Sequence, residues 1–312
     1  MNPCFPAFRV RMVQTRQLDF SHVTAGLREQ IDAALAELAD LGPGCPDELR
    51  EAIRYSLLAP GKRLRPMLAL MAAEACGGSH EAAMPAACAV EMVHAYSLVH
   101  DDLPAMDDDD LRRGRPTCHK KFGEAVAILA GDALLAMAFG AIARGVRPPE
   151  RAAACCAALA EAAGPCQLVG GQADDIAAQQ AWHSAPSPDA LESIHLRKTS
   201  AMIRVSLRLG GLAAGASEGQ LAALDEYGWR LGLAFQITDD LLDVRSSEAA
   251  TGKRVGKDAS LGKLTYPGVF GVEESAHRAV QLIEEACRAI GELGPAAGRL
   301  EALARYVVER DR

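Results

Sequence analysis

The 312-residue chain is poor in aromatic side chains, which make up 4% of it, with two tryptophans and five tyrosines. Aromatic and β-branched residues favour strands, whereas the alanine and leucine that dominate here favour helices. No stretch sustains the period-two alternation of a half-buried strand, which excludes a sheet as the main architecture. Surplus positive charge is also missing: 33 lysines and arginines face 41 aspartates and glutamates, for a formal net charge of -8. Such a chain lacks the basic face needed to bind a phosphate backbone, so no nucleic-acid partner is expected. Paired cysteine motifs are absent as well. Of the nine cysteines none forms C-x-x-C, and Cys155 and Cys156 are adjacent, which suits neither zinc nor a disulfide framework. Reduced, mostly buried thiols follow, and with them a cytoplasmic location. The N-terminal stretch M-N-P-C-F-P-A-F-R-V-R-M-V has no apolar signal-peptide core. Residues 1–20 read as an extension ahead of one domain at 21–312. Only residues 125–143 are long and apolar enough to span a bilayer, and Asp132 and two glycines interrupt them. A core helix is expected there, with no membrane span.

What the chain does have is helical periodicity. Leu27, Ile31, Leu35 and Leu38 recur at helical spacing within residues 21–39, and Leu49, Ile53 and Leu57 do so after Pro46. Similar patterns cover 66–76, 84–102, 122–144, 149–163, 166–180, 188–212, 217–244, 266–290 and 296–309, with a polar loop from Pro104 to about residue 121. The expectation is an all-α, single-domain bundle of about ten helices around a central pocket.

Six of the ten residues at 101–110 are aspartates, in D-D-L-P-A-M-D-D-D-D, and Arg112 and Arg113 follow. The run continues an apolar helical segment, V-E-M-V-H-A-Y-S-L-V-H, so it is no solvated tail. Buried carboxylates need a compensating cation, and magnesium takes carboxylate oxygens together with water and phosphate. Asp101 and Asp107 are six apart, off one another's helical face; Pro104 breaks the helix between them and lets the loop return Asp107 toward Asp101. A second cluster, F-Q-I-T-D-D-L-L-D, places Asp239, Asp240 and Asp243 on one helical face, where like charges repel unless they share a cation. Two such walls could hold several magnesium ions against a phosphorylated ligand. Lys62, Arg65, Arg112, Arg113, Lys198 and Lys253 supply cations for its outer oxygens. As a bare pattern G-K-R-L-R-P is either a solvated turn or a compact anion site at a helix start. His94, two turns before Asp101, is either a core histidine or a ligand contact. Cys118 and His119 lack the partners that would make a metal site.

These motifs, in this order, resemble those of the trans-isoprenyl (polyprenyl) diphosphate synthases, with an especially close match to the bacterial farnesyl type. D-D-L-P-A-M-D and F-Q-I-T-D-D-L-L-D resemble the family's two aspartate-rich motifs, and G-K-R-L-R-P, L-R-R-G-R-P, G-G-Q-A-D-D, the Lys198-Thr199 pair, T-G-K-R-V-G-K-D and L-G-K-L-T-Y-P resemble its other conserved segments. The resemblance implies a prenyltransferase in which an allylic diphosphate ionises and isopentenyl diphosphate attacks the carbocation. It implies three magnesium ions per site, with Asp101, Asp107 and Asp239 as direct ligands and Asp102, Asp240 and Asp243 in support. Arg112, Lys198, Gln236 and Lys253 would hold the allylic diphosphate; Lys198, Thr199 and Gln236 would stabilise the cation; Lys62, Arg65, His94 and Arg113 would hold isopentenyl diphosphate. His100 is left structural. In the matching helix Gln172 and Asp175 fit the family pattern, and Asp174 departs from it without consequence. Tyr96 and Ser97 would set chain length, a bulky Tyr96 implying a farnesyl product, with geranylgeranyl diphosphate as the alternative. A homodimer is implied, and residues 245–263 would form a lid. A terpene cyclase or head-to-head synthase has no need of the isopentenyl cluster, and a noncatalytic subunit would have lost metal ligands.

Overall fold

The computed structural model describes residues 20–180, 192–194, 196–249 and 265–309. Lys253, residues 1–19 of the N-terminal extension and the lid segment beyond residue 249 lie outside these. Helices α1 (Phe20–Leu38), α2 (Asp47–Leu57), α3 (Leu64–Ala75) and α4 (His80–Asp101) lead into a two-stranded hairpin, β1 (Leu111–Arg112) and β2 (Arg115–Pro116). Helices α5 (Cys118–Phe122), α6 (Glu124–Gly145), α7 (Pro149–Ala163) and α8 (Leu168–Gln180) follow. A π-helical turn, Leu196–Ser200, enters α9 (Ala201–Ala214), and then come α10 (Glu218–Ala249), α11 (Tyr266–Phe270), α12 (Val272–Ala289), a 3-10 turn (Gly291–Ala297) and α13 (Gly298–Glu309). The all-α expectation holds.

Periodicity and packing agree. Leu27, Ile31 and Leu35, four apart on α1, are all buried, as are Ile53 and Leu57 on α2. One hydrophobic cluster runs from Leu27 to Val307 and takes in every long helix. Helix α4 sits at its centre, packed by α3, α6 and α9, and so buries residues on all sides from Ala83 to Val99. Ser79 caps its start, the side-chain oxygen accepting from the Ala82 N–H at 3.2 Å. The site described below lies at its other end.

Four details depart from the expected boundaries. Helix α3 begins two residues early because Arg63, its N-cap, takes a left-handed φ of 51°. The polar loop contains the hairpin, whose turn residues Arg113 and Gly114 have φ of 54° and 75°, the double positive φ of a primed hairpin turn. The helix expected from residue 188 is π-helical across Lys198 and Thr199. The one expected over 266–290 breaks at Gly271. Three helical stretches, His80–Asp101, Glu124–Gly145 and Pro149–Ala178, have the length and apolarity to cross a membrane. The first is 67% buried in the chain over its most apolar window, whereas α6 is 39% buried there and leaves Ile128 and Leu129 exposed. The core-helix expectation for 125–143 is therefore met on one face only.

Candidate active site

Helix α4 ends at Asp101, and the chain beyond Pro104 folds back over that end. The Asp107 N–H donates to the Asp101 carbonyl at 2.9 Å, and the Asp109 N–H to that of Asp102 at 3.3 Å. The loop thus carries Asp107 to Asp101, as the proline spacing predicts. Burial pushes the Asp101 carboxyl up to about 6; Lys198 opposes the shift and Asp107 adds to it. Asp102 has different work. It is 3% exposed, and its Oδ1 accepts from Nε and Nη2 of Arg112 at 2.7 Å each. Arg112 is therefore held against the motif by the hairpin it belongs to, with its charge balanced.

The second motif lies on α10. Asp239 is partly buried and Asp243 exposed, whereas Asp240 is 6% exposed. Asp240 accepts from the Gln236 side-chain amide at 3.0 Å and from the Tyr266 N–H at 2.8 Å, one oxygen each. The Thr199 hydroxyl donates to the Gln236 Oε1 at 3.2 Å. Threonine, glutamine and aspartate thus form one chain, anchored where α11 begins. Lys198 and Thr199 sit on the π-helical turn, a local widening often found at functional positions. The Lys198 ammonium donates to Asp175 at 2.6 Å and is close enough to Asp101 to pull its carboxyl down. Asp174, beside Asp175, pairs with Arg197.

Around His94, two turns before Asp101 on α4, cations converge. Lys62 is exposed; Arg65 is partly buried, with its Nε enclosed and without a hydrogen-bond partner. Burial and the charges of Arg65, Arg113, Arg112 and Arg63 hold the His94 imidazole well below its ordinary value. Burial lowers Arg65 and Arg113 as well, helped by nearby arginines and opposed by Glu91. A neutral imidazole donor and crowded guanidinium groups suit a multiply charged anion, whose approach would reverse the sign of these interactions. Arg63 belongs elsewhere: it donates to Asp32 and Glu91 at 2.8 Å and to the Ala59 carbonyl at 2.9 Å. Sequence reasoning missed Glu91. Its signal was an acid inside an apolar helix, one turn before His94.

Tyr96 is 7% exposed and meets the His100 ring edge-on with centroids 5.8 Å apart. The His100 Nε2 lies 3.1 Å from the Ile128 carbonyl on α6. The imidazole fits because residue 131 is glycine: a Cβ there would stand 2.1 Å from Nε2. Ser97 donates to the His94 carbonyl at 2.9 Å. A cleft lies between α2, α4 and the hairpin and reaches His94, Arg112 and Arg113.

Asp101 and Asp107, brought together by the loop, offer carboxylate oxygens of the kind a hard cation takes. A divalent ion there would offset the burial and mutual repulsion that raise the Asp101 carboxyl, so the residues fit magnesium.

The sequence model of the family described as Polyprenyl synthetase matches residues 46–293. The chain is 45% identical to Geranylgeranyl pyrophosphate synthase 11, chloroplastic, of Arabidopsis thaliana, over 94% of this chain and 82% of that one. It is 44% identical to the chloroplastic geranylgeranyl pyrophosphate synthase of Catharanthus roseus, with the same two coverages of 94% and 82%. A solved FPP/GFPP synthase from Zymomonas mobilis superposes with a TM-score of 0.84 at 33% identity, covering 94% of this chain and 99% of that chain. The two plant enzymes are chloroplastic by name, which overturns the expected cytoplasmic location. Their names also favour the geranylgeranyl alternative over the farnesyl product. With the helical fold, the paired aspartate motifs and these matches together, the chain belongs to the polyprenyl synthetase family and is a trans-prenyltransferase.

Proposed function

We propose that the chain condenses isopentenyl diphosphate head-to-tail with allylic diphosphates and that geranylgeranyl diphosphate is its end product. One observation supports the reaction class: next to the carboxylates of the aspartate motifs stands a group of cations around His94, with Arg65 and Arg113, so the site has polar partners for two diphosphates. The product follows the names of the plant relatives. In this reading Asp101, Asp107 and Asp239 ligate magnesium, three ions per site, and Asp102, Asp240 and Asp243 act in support. Asp102 does so by fixing Arg112, and Asp240 by fixing Gln236. When bound, magnesium neutralises the charge that builds on the departing diphosphate.

Arg112, Lys198 and Gln236, with Lys253, hold the allylic diphosphate. The Lys198 ammonium, bound to Asp175 and near Asp101, is the cation this reading assigns to the leaving group's developing charge. The Gln236 and Thr199 oxygens face the ionising carbon, together with the carbonyl oxygen of Lys198. Lys62, Arg65, His94 and Arg113 hold isopentenyl diphosphate, with His94 donating as a neutral imidazole. The carbon–oxygen bond of the allylic substrate breaks, the isopentenyl alkene forms the new carbon–carbon bond, and the released diphosphate takes the proton. The exposed apolar face of α6 at Ile128 and Leu129 suits a second copy of the chain.

A second reading, a farnesyl product, is favoured by the bulk of Tyr96 beside Asp101 on α4. Incubation with magnesium, isopentenyl diphosphate and each allylic diphosphate, followed by chromatography, separates the two. Accumulation of the twenty-carbon product supports the first reading, and termination at fifteen carbons supports the second. No turnover with any pair of substrates sinks both.

A further inference from the structure

Asp108 and Asp110 follow the first metal-ligating motif and have no part in the chemistry above. One oxygen from each and one ring nitrogen of His119 all lie within 4.8 Å of one another. His119 is 5% exposed, and its Nε2 is enclosed without a hydrogen-bond partner. The other nitrogen, Nδ1, lies 3.1 Å from the Thr117 hydroxyl. That hydroxyl donates its proton to the Asp110 carbonyl, at 3.4 Å, so its oxygen accepts from Nδ1–H. This relay selects the tautomer in which Nε2 carries a bare lone pair. An imidazole beside two carboxylates, with one of its nitrogens held by a hydroxyl, is the arrangement metal-binding histidines have.

We propose that Asp108, Asp110 and His119 form a second divalent-cation site, separate from that of Asp101, Asp107 and Asp239 and taking zinc, manganese or cobalt in preference to magnesium. The donor set decides the preference: magnesium favours an all-oxygen shell, whereas imidazole suits later first-row ions. Lys120 holds one oxygen of Asp110 at 2.8 Å, and the cation competes with it or takes the other oxygen. Bound there, the ion ties the loop that carries Asp107 to the start of α5. The site is independent of which prenyl product the chain makes.

The test uses the metal-stripped full chain in excess magnesium, which saturates the carboxylate site, titrated with Co2+ while visible absorption is followed. One equivalent of Co2+ should develop an absorption band that zinc abolishes. Asp239→Asn should keep the band, His119→Gln should lose it, and Thr117→Val should weaken cobalt affinity about 10-fold through the lost relay. Because His119 is buried, Asp108→Asn/Asp110→Asn, altered only at exposed carboxylates, must lose the band too, with circular dichroism confirming its fold. No band in the parent protein, a band that survives in the double variant, or a band lost in Asp239→Asn would each overturn the proposal.

Discussion

Arg63 and Arg65 are two residues apart on the same turn and have opposite roles. Arg63 is enclosed by Asp32 and Glu91 from two other helices, so removing it strands a buried acid. Breaking such a pair costs about 3–5 kcal/mol, and Arg63→Ala should lower the urea midpoint by a corresponding amount. Arg65 keeps an enclosed, unpartnered Nε among cations that suit a diphosphate. Losing a charge-assisted contact to the ligand is worth about 1.5–3 kcal/mol. Arg65→Ala should therefore raise the KM for isopentenyl diphosphate roughly 10- to 100-fold, leaving the allylic KM and the urea midpoint near those of the parent. Equal loss of affinity for both substrates would remove Arg65 from the isopentenyl wall. The pattern G-K-R-L-R-P makes three cations legible, but not which of them is structural. That is decided by Asp32 and Glu91, 31 residues before and 28 residues after Arg63, and local spacing carries no such information.

At the scale of elements, α4 and α6 form a latch. Tyr96 rests on His100, and His100 is seated against the Ile128 carbonyl through the space that Gly131 leaves. Tyr96→Ala should lengthen the product. Gly131→Ala should do so indirectly: its methyl group evicts the imidazole, frees the tyrosine ring and costs about 1–3 kcal/mol of stability through overpacking. Chromatography of products checks both, and unchanged chain length in Tyr96→Ala would take this face of α4 out of length control. If Tyr96→Ala lengthens the product and Gly131→Ala does not, Tyr96 acts without the latch. Periodicity revealed α4 and α6, and the proline spacing revealed the return of Asp107. The hairpin and the π-helical turn were not legible. The first depends on two consecutive residues with positive φ, one of them an arginine, and the second on one extra residue per turn, which barely disturbs a helical pattern.

The whole molecule stores a response to alkaline pH in its thiols. Nine cysteines without a pairing motif predicted reduced, mostly buried side chains; the cysteines among the described residues are free, with Cys88, Cys118, Cys155 and Cys287 buried and Cys166 exposed. Burial makes the most enclosed of them titrate late. The Cys88 thiol on α4 and the Cys155 thiol on α7 are pushed from an ordinary 9.0 up to about 12, burial being the main cause for each. Between those values the unfolded chain has lost protons that the folded chain keeps, so the unfolded state binds fewer and stability falls as pH rises. Each thiol contributes a slope of about 1.4 kcal/mol per pH unit above pH 9, and the contribution is fully retained below it. Lysines and tyrosines titrate in the same range, so the parent must be compared with Cys88→Ala/Cys155→Ala rather than read alone. Denaturant unfolding at pH 8 and pH 10 should show the double variant losing about 3 kcal/mol less than the parent over that interval. An equal loss in both would mean that opening of the core around α4 and α7 lets the thiols ionise in the folded state, and that the cluster joining the long helices is looser there than its burial implies.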